Sequence, residues 1–214
     1  MTTKRFFLLA ITNLLFFVYS FSQVGEQLRE FSLGGNAGAL YNRVSFTPTI
    51  EQTTYISYTA GVTARYMCEN YMGLDCGVQL ELNYMRRGWN EKAGYGRDIN
   101  YFNIPFLAHL AYGKKRVKGV LNLGPEFSFL MSEKERGVSS PTVNRRRFAD
   151  NKLDYGITGG LGMEVVTGIG HFIIEGRYYY ALSDIYSNGK TDYYARSAHN
   201  TISVKLTYLY DILK

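Results

Sequence analysis

Few residues of this chain have the types and spacing that catalysis or cofactor binding requires. Gly189-Lys190-Thr191 ends like a phosphate-binding loop, but Asp184 stands where that motif needs its first glycine. A polar loop tip with a turn at Asn188-Gly189 explains the same residues. The sequence also lacks a Gly-x-Ser-x-Gly nucleophile elbow and a His-Glu-x-x-His metal pair. It therefore predicts no catalytic residue and no cofactor.

Metal-binding and thiol side chains are sparse as well. His109, His171 and His199 are far apart in sequence, so we expect neither a metal site nor a catalytic histidine. Cys68 and Cys76 flank a short turn, and a hairpin centred on that turn would place them opposite each other. An oxidising compartment would permit a disulfide between them. Two free thiols at the edge of a lipid-facing surface are the alternative, and the sequence leaves both open.

The elements that position these residues are strands. Residues 74–84 alternate apolar and polar side chains with a period of two over a length that suits a tilted membrane-spanning strand. The same alternation recurs along the chain, and glycines weaken it only in the first segment. The predicted strands are residues 31–40, 56–66, 74–84, 102–112, 121–129, 155–165, 172–182 and 202–208.

The connections between these segments alternate strictly between long and short. Residues 42–54, 86–100, 131–152 and 183–199 are long and polar, whereas residues 67–72, 113–118 and 167–170 are short. Outer-membrane barrels have an even number of strands, long extracellular loops and short periplasmic turns. The pattern predicts an all-β fold, an eight-stranded antiparallel up-and-down transmembrane β-barrel with both termini in the periplasm.

The two faces of the predicted strands differ in chemistry. The apolar set would face lipid, and the small and polar set would fill a narrow lumen, where charges must pair. Tyr66, Tyr84, Tyr112, Tyr178, Tyr180 and Tyr208 lie at strand ends, as in aromatic girdles. The residues predicted to form a structural charge network in the lumen are Arg65, Glu81, Glu126, Glu164, Glu175, Arg177 and Lys205.

The N-terminal segment is typical of an export signal. Lys4 and Arg5 precede an apolar run that is short for a membrane-spanning helix, and cleavage is expected between Ser22 and Gln23. An uncleaved anchor is the alternative. The predicted division is a signal peptide, residues 1–22, and a barrel domain, residues 23–214. Removal of the signal peptide takes away Lys4 and Arg5 and so lowers the formal charge of +6 by two. The remaining positive charge is too small to indicate nucleic-acid binding.

Several short segments resemble one family of barrels. They are Leu80-Glu81-Leu82-Asn83-Tyr84 followed by Gly88, Asn100-Tyr101-Phe102-Asn103-Ile104-Pro105-Phe106, Gly124-Pro125-Glu126-Phe127-Ser128, Asp154-Tyr155-Gly156 with Gly160-Leu161-Gly162, and Arg177-Tyr178 with Leu182. In order and spacing the chain is similar to the PorT-like small outer-membrane β-barrel proteins. The resemblance implies a Gram-negative outer membrane and, from the family's namesake, a part in protein secretion. The end of the chain departs from the pattern, because Asp211-Ile212-Leu213-Lys214 follows the last aromatic residue.

These observations favour a non-enzymatic integral barrel that serves as a scaffold or binds a partner through its extracellular loops. The alternatives are an accessory component of a secretion machine, an outer-membrane enzyme, and a soluble ligand-binding barrel with the opposite arrangement of faces. Expected partners are outer-membrane lipid, lipopolysaccharide and an envelope protein. Arg145, Arg146 and Arg147 in the longest loop suit contact with lipid phosphate or an acidic partner, although a solvated loop explains them too.

Overall fold

The computed structural model describes residues 26–47, 51–91, 94–114, 116–137, 151–185 and 196–213. No helix in this part of the chain is long and apolar enough to cross a membrane. The strands are β1 (Glu26–Thr47), β2 (Gln52–Thr53), β3 (Tyr55–Tyr71), β4 (Leu74–Glu91), β5 (Gly96–Lys114), β6 (Val117–Arg136), β7 (Leu153–Thr167), β8 (Gly170–Ala181) and β9 (Arg196–Leu213).

The long strands form a closed ring. From β3 to β9 each strand pairs antiparallel with the next, and β1 pairs with both β3 and β9. The two-residue β2 pairs with β4 alone, with Gln52 opposite Glu91. The predicted eight-stranded antiparallel up-and-down barrel is therefore confirmed, with β2 added at one end of the wall.

The wall separates an apolar exterior from a polar interior, as the period of two predicts. Leu80 and Leu82 on the outer face of β4 are 39% and 40% exposed, whereas Glu81 between them is fully buried. The same alternation runs along β8, where Ile174 is outside and Glu175 is inside. The outward apolar and aromatic side chains form a continuous belt, hereafter the apolar belt, which is the surface expected to meet lipid.

At one end of the barrel, tight turns connect neighbouring strands. Met72 and Gly73 connect β3 to β4, and both have positive φ angles, 52° and 85°. Positive φ at both central residues is the geometry of a two-residue hairpin turn whose twist matches that of the strands. Gly73 adopts it without steric cost, whereas Met72 is a non-glycine residue in this conformation. This end, with the turns and the described ends of β1 and β9, is called the short-turn end below.

At the opposite end, called the long-loop end, the predicted connections are too long. β4 continues to Glu91 and β5 begins at Gly96, so most of residues 86–100 are strand. β6 likewise continues to Arg136, inside the connection predicted for residues 131–152. Apart from Met131, the outward side chains in these extensions are polar, so the apolar alternation ends although backbone pairing continues. The sequence therefore marked where the apolar belt ends and not where the strands end.

Candidate functional site: the barrel lumen

The middle of the lumen is filled by a compact group of charges. Glu81 on β4 accepts a hydrogen bond from Arg177 Nη2 at 2.6 Å and another from Lys205 Nζ. Arg177 also pairs with Glu175 at 2.7 Å, and Asn83 donates to Glu81 at 2.9 Å. Two cations thus face two carboxylates, all buried. Mutual pairing of this kind is what makes buried charges tolerable.

A second group lies toward the short-turn end and spans the seam between the first and last strands. Arg65 on β3 pairs with Glu164 on β7 at 2.6 Å. His171 on β8 lies between Glu164, at 2.6 Å, and Asp211 on β9, at 3.0 Å. Ser32 on β1 donates to Asp211 at 2.8 Å. This chain of contacts connects five strands, so it stabilises the ring where β1 and β9 meet.

A third group lies nearer the long-loop end and is centred on Arg87 of β4. This guanidinium donates to Glu126 at 2.6 Å and to Asp154 at 2.7 Å. It also lies over the ring of Tyr179, 4.1 Å from the centroid, an arrangement that favours a cation. Ser183 donates to Asp154 at 2.6 Å. Arg87 is fully buried, so its contacts close this level of the lumen.

Between Arg87 and the long-loop end, an apolar cluster occupies the lumen. Val44, Trp89, Ile99, Tyr101 and Ile185 form one buried cluster inside the mouth of the barrel. Trp89 is 3% exposed and Ile99 is fully buried, so solvent does not reach between them. Packed apolar side chains exclude water and ions, so this cluster seals the lumen at the long-loop end.

Arg97 lies opposite Trp89 of that cluster in the register of β4 and β5, and it joins β5 to β6. It donates to Glu133 at 2.5 Å and also pairs with Glu135. Arg97 is fully buried although it belongs to the part of β5 that extends past the apolar belt. These ion pairs hold the extended strands together above the belt.

Two small cavities lie within the part of the barrel that the structure describes. One of about 10 Å³, next to Arg87, Arg177 and Lys205, has room for about one water molecule. Another of about 80 Å³ opens at the short-turn end and is lined by Arg65, Asp75, Lys118, Glu164 and His171 among others. Neither connects the two ends, because the charge groups and the apolar cluster lie between them.

The structure places every predicted lumen charge inside the barrel, in three groups of ion pairs. The groups around Glu81 and Arg87 are connected through hydrogen bonds of Asn83 and Asn103. Glu126 pairs with Arg87, which lies outside the predicted set, as do Asp154, His171 and Asp211. Arg87 was missed because residues 86–100 were interpreted as a loop. The side chains of Gln79, Glu81 and Asn83 point inward. Two-residue steps from Asn83 along β4 lead to Arg87, and this register was the sequence signal that could have identified it.

Of the remaining predicted site residues, only the two cysteines lie in the part of the chain that the structure describes. Cys68 and Cys76 are free thiols, and a bulge puts Glu69 rather than Cys68 opposite Cys76. The hairpin geometry assumed for a disulfide is therefore wrong at this position. Ser22, Gln23, Arg145, Arg146 and Arg147 lie outside the described residues.

The histidines occupy separate levels of the lumen. His109 Nδ1 lies 2.8 Å from Asn122 Oδ1, and His199 Nε2 lies 3.4 Å from the hydroxyl of Tyr101. Within the described ranges no group of three His, Cys, Asp or Glu side chains is arranged to hold a metal ion.

Residues 21–187 match the family described as the outer membrane protein beta-barrel domain, and this range covers more than half of the chain. The chain belongs to this family. Membership places the protein among integral barrels of the Gram-negative outer membrane. No curated protein is similar to the chain in sequence.

Several solved outer-membrane barrels are similar to the chain at low sequence identity. The outer membrane protein OprG from Pseudomonas aeruginosa is 10% identical with a TM-score of 0.50, over 89% of this chain and 99% of OprG. Ail, the attachment invasion locus protein of Yersinia pestis, is 13% identical with a TM-score of 0.41, over 86% of this chain and 100% of Ail. Outer membrane protein W of E. coli is 14% identical with a TM-score of 0.42, over 84% of this chain and 98% of that protein.

Proposed function

We propose that this protein is a non-enzymatic, non-conducting outer-membrane barrel that presents its long-loop end to a protein partner in the envelope. The observation that carries the proposal is the filled lumen. Charge groups centred on Glu81 and Arg87 and the apolar cluster around Trp89 lie across the described lumen, where they obstruct the passage of a solute. With the interior occupied by its own side chains, the barrel has its ends available for interaction.

The extended strands supply a rigid platform for that interaction. β4, β5 and β6 have 18, 19 and 20 residues. A strand tilted by roughly 45° needs only about 9–11 residues to cross a bilayer. The surplus lies at the long-loop end, where Arg97 and its carboxylate partners hold β5 to β6. A hydrogen-bonded wall above the membrane positions contact residues more precisely than a loop does.

The orientation is part of the proposal, with the long-loop end outside the cell and the termini in the periplasm. The test is a Lys152→Cys variant in a background carrying Cys68→Ser and Cys76→Ser, treated with a membrane-impermeant maleimide. Lys152 is exposed beside the start of β7. Labelling of intact cells is expected, and labelling only after permeabilisation would contradict this orientation.

The partner interaction is tested by site-specific photocrosslinking in cells. A benzophenone amino acid replaces Glu51, next to β2 at the long-loop end, or, as a matched control, Met72 in the turn between β3 and β4. Both positions are exposed. The proposal expects one discrete protein adduct at Glu51 and none at Met72. Adducts confined to Met72, or none at either position, would overturn it.

The finer resemblance to PorT-like proteins supports a second proposal, that the barrel is an accessory component of a protein secretion machine. The resembling segments lie on five consecutive strands, β4 to β8, and so cover one continuous part of the wall. Deleting the gene should then reduce the amount of secreted protein in the culture medium. An unchanged secreted fraction would contradict this proposal and leave the first one standing.

A further inference from the structure

The outer surface of β4, β5 and β6 changes character where the apolar belt ends. Tyr84, Phe102 and Phe129 are the last large aromatic side chains of the belt on these strands. Beyond them the outward side chains are polar as far as the ends of the strands, apart from Met131 in the bulge of β6. This surface, hereafter the outer panel, consists of Arg86, Asn90, Asp98, Asn100, Ser132, Lys134 and Arg136.

The outer panel has an excess of positive charge and a defined geometry. Arg86 Nε donates to Asn100 Oδ1 at 3.2 Å, and Asn100 donates to Ser132 at 2.8 Å. Arg136 pairs with Asp98, the one carboxylate of the panel, at 2.8 Å. Lys134, opposite Asp98 in the register, is exposed. The panel therefore has three cations and one acid.

Aromatic rings hold both guanidinium groups against the wall. Arg86 lies 5.4 Å from the ring centroid of Tyr58, and Arg136 lies 5.2 Å from that of Tyr55. A guanidinium has five N–H donors in a fixed plane, so one or two bonds within the panel leave capacity for an external acceptor. Arginine oriented in this way suits bidentate hydrogen bonding to phosphate.

The height of the outer panel matches the position of lipid phosphates. Arg86 is two residues beyond Tyr84, which is about 7 Å along the strand. Acyl chains against the apolar belt would place their phosphorylated head groups at this level. The short-turn end differs, because apolar side chains there reach the turns themselves: Met72 and Ile169 are 84% and 66% exposed.

We propose that the outer panel is a binding surface for a phosphorylated glycolipid of the outer leaflet, a bisphosphorylated lipid A. Its phosphates would be bound by Arg86, Lys134 and Arg136, and its acyl chains would pack on the apolar belt below. The inference rests on the orientation proposed above and is independent of the protein partner. Charge complementarity and continuity with the apolar belt favour a lipid occupant over a soluble anion.

The test uses native mass spectrometry of the full-length folded protein in a neutral detergent. Bisphosphorylated lipid A, or the same lipid with both phosphates removed, is added in increasing amounts. The proposal expects the phosphorylated lipid to bind about tenfold more tightly, because charge-assisted bonds to phosphate are lost with the dephosphorylated one. Equal binding of the two lipids would overturn it.

Variants test whether the preference for phosphorylated lipid depends on the outer panel or on surface charge in general. Arg86→Ser with Lys134→Ser and Arg136→Ser should abolish the preference for phosphorylated lipid. The control, Arg29→Ser with Arg116→Ser, changes exposed cations at the short-turn end and should preserve the preference. Folding is checked by gel migration without heating, and Lys134→Glu serves as a milder variant, expected to weaken binding of the phosphorylated lipid.

A preference that survives in both panel variants, or that the control also loses, would overturn the assignment to the outer panel. Labelling at Lys152 and photocrosslinking at Glu51 use positions outside the outer panel and are measured separately from lipid binding. A failure of lipid binding is thereby distinguished from a failure of the proposed orientation or of the protein partner.

Discussion

At the scale of single residues, the lumen is stabilised by charges that depend on one another. Glu81 accepts hydrogen bonds from Arg177 and Lys205, and all three are buried. Removing the shared acceptor leaves two buried cations with less compensation than they need. The free-energy cost of a broken buried pair greatly exceeds that of a lost surface charge.

The first prediction follows for Glu81→Ala. The free energy of unfolding should fall by about 3–5 kcal/mol, because desolvated charge is left uncompensated. The measurement is urea-induced unfolding in lipid vesicles, followed by gel migration without heating. Glu26→Ala, at an exposed position near the start of β1, is the control and should cost less than about 0.5 kcal/mol. Equal stability of the two variants would show that the Glu81 group does not stabilise the barrel.

A second residue-scale prediction concerns the room that interior glycines provide. A Cβ atom at Gly160 would lie 2.5 Å from Cγ of Arg177, so a side chain there displaces the central charge group. At Gly176, on the outer face of the neighbouring strand, the nearest atom would be 4.0 Å away. Gly160→Ala should therefore lower the free energy of unfolding by about 1–3 kcal/mol. Gly176→Ala should leave it unchanged or raise it slightly, since alanine restricts the unfolded chain.

Thermal unfolding followed by the same gel assay checks the glycine pair. A Gly160→Ala protein as stable as the Gly176→Ala protein would mean that the interior of the barrel is less filled than the contacts around Arg177 indicate.

At the scale of the elements, the wall was predictable wherever lipid constrains one face. The apolar alternation of residues 74–84 and 172–182 places these strands and orients both faces correctly. Beyond Tyr84 that constraint ends, because outward residues such as Arg86 and Asn90 are polar and do not face acyl chains. Strand pairing there depends on backbone hydrogen bonds between β4 and β5, which leave no hydropathy signal.

The ion pairs that form inside the lumen could not be predicted from the sequence for a related reason. Arg65 and Glu164 are 99 positions apart, and Arg177 and Glu81 are 96 apart. Alternation shows that such side chains point inward, but it does not give the height of each strand relative to non-adjacent strands across the lumen. Only the closed ring brings β3 to face β7. The inward set was therefore accessible from sequence, whereas its pairing was not.

The third prediction tests the strand extensions by hydrogen exchange. Arg86 pairs with Asn100 and Asn90 pairs with Gly96, so amides in these segments should exchange slowly although they lie above the apolar belt. We expect exchange slower than in an unstructured chain by a factor on the order of a hundred or more. The measurement is exchange followed by mass spectrometry of the protein in lipid nanodiscs. Exchange in residues 86–91 as rapid as in an unstructured peptide would restore the loop interpretation.

At the scale of the whole molecule, the closed ring and the filled lumen act together. An eight-stranded barrel has an interior just wide enough for its own side chains. Here that interior is divided between the groups around Arg65, Glu81 and Arg87 and the apolar cluster around Trp89. The proposed function treats the barrel as a plugged support whose outer surface and ends carry the interactions. Ion conduction through the lumen is the property that would most directly oppose this proposal.

The decisive measurement is single-channel recording of the purified protein in planar lipid bilayers. The filled lumen predicts no stable conductance at moderate voltage for the native protein. A matched variant carrying Arg87→Ala and Trp89→Ala, which empties two adjacent levels of the lumen, should show at most brief openings. A steady open channel in the native protein would contradict the account, because it requires a continuous water path where the structure places buried ion pairs and packed apolar side chains.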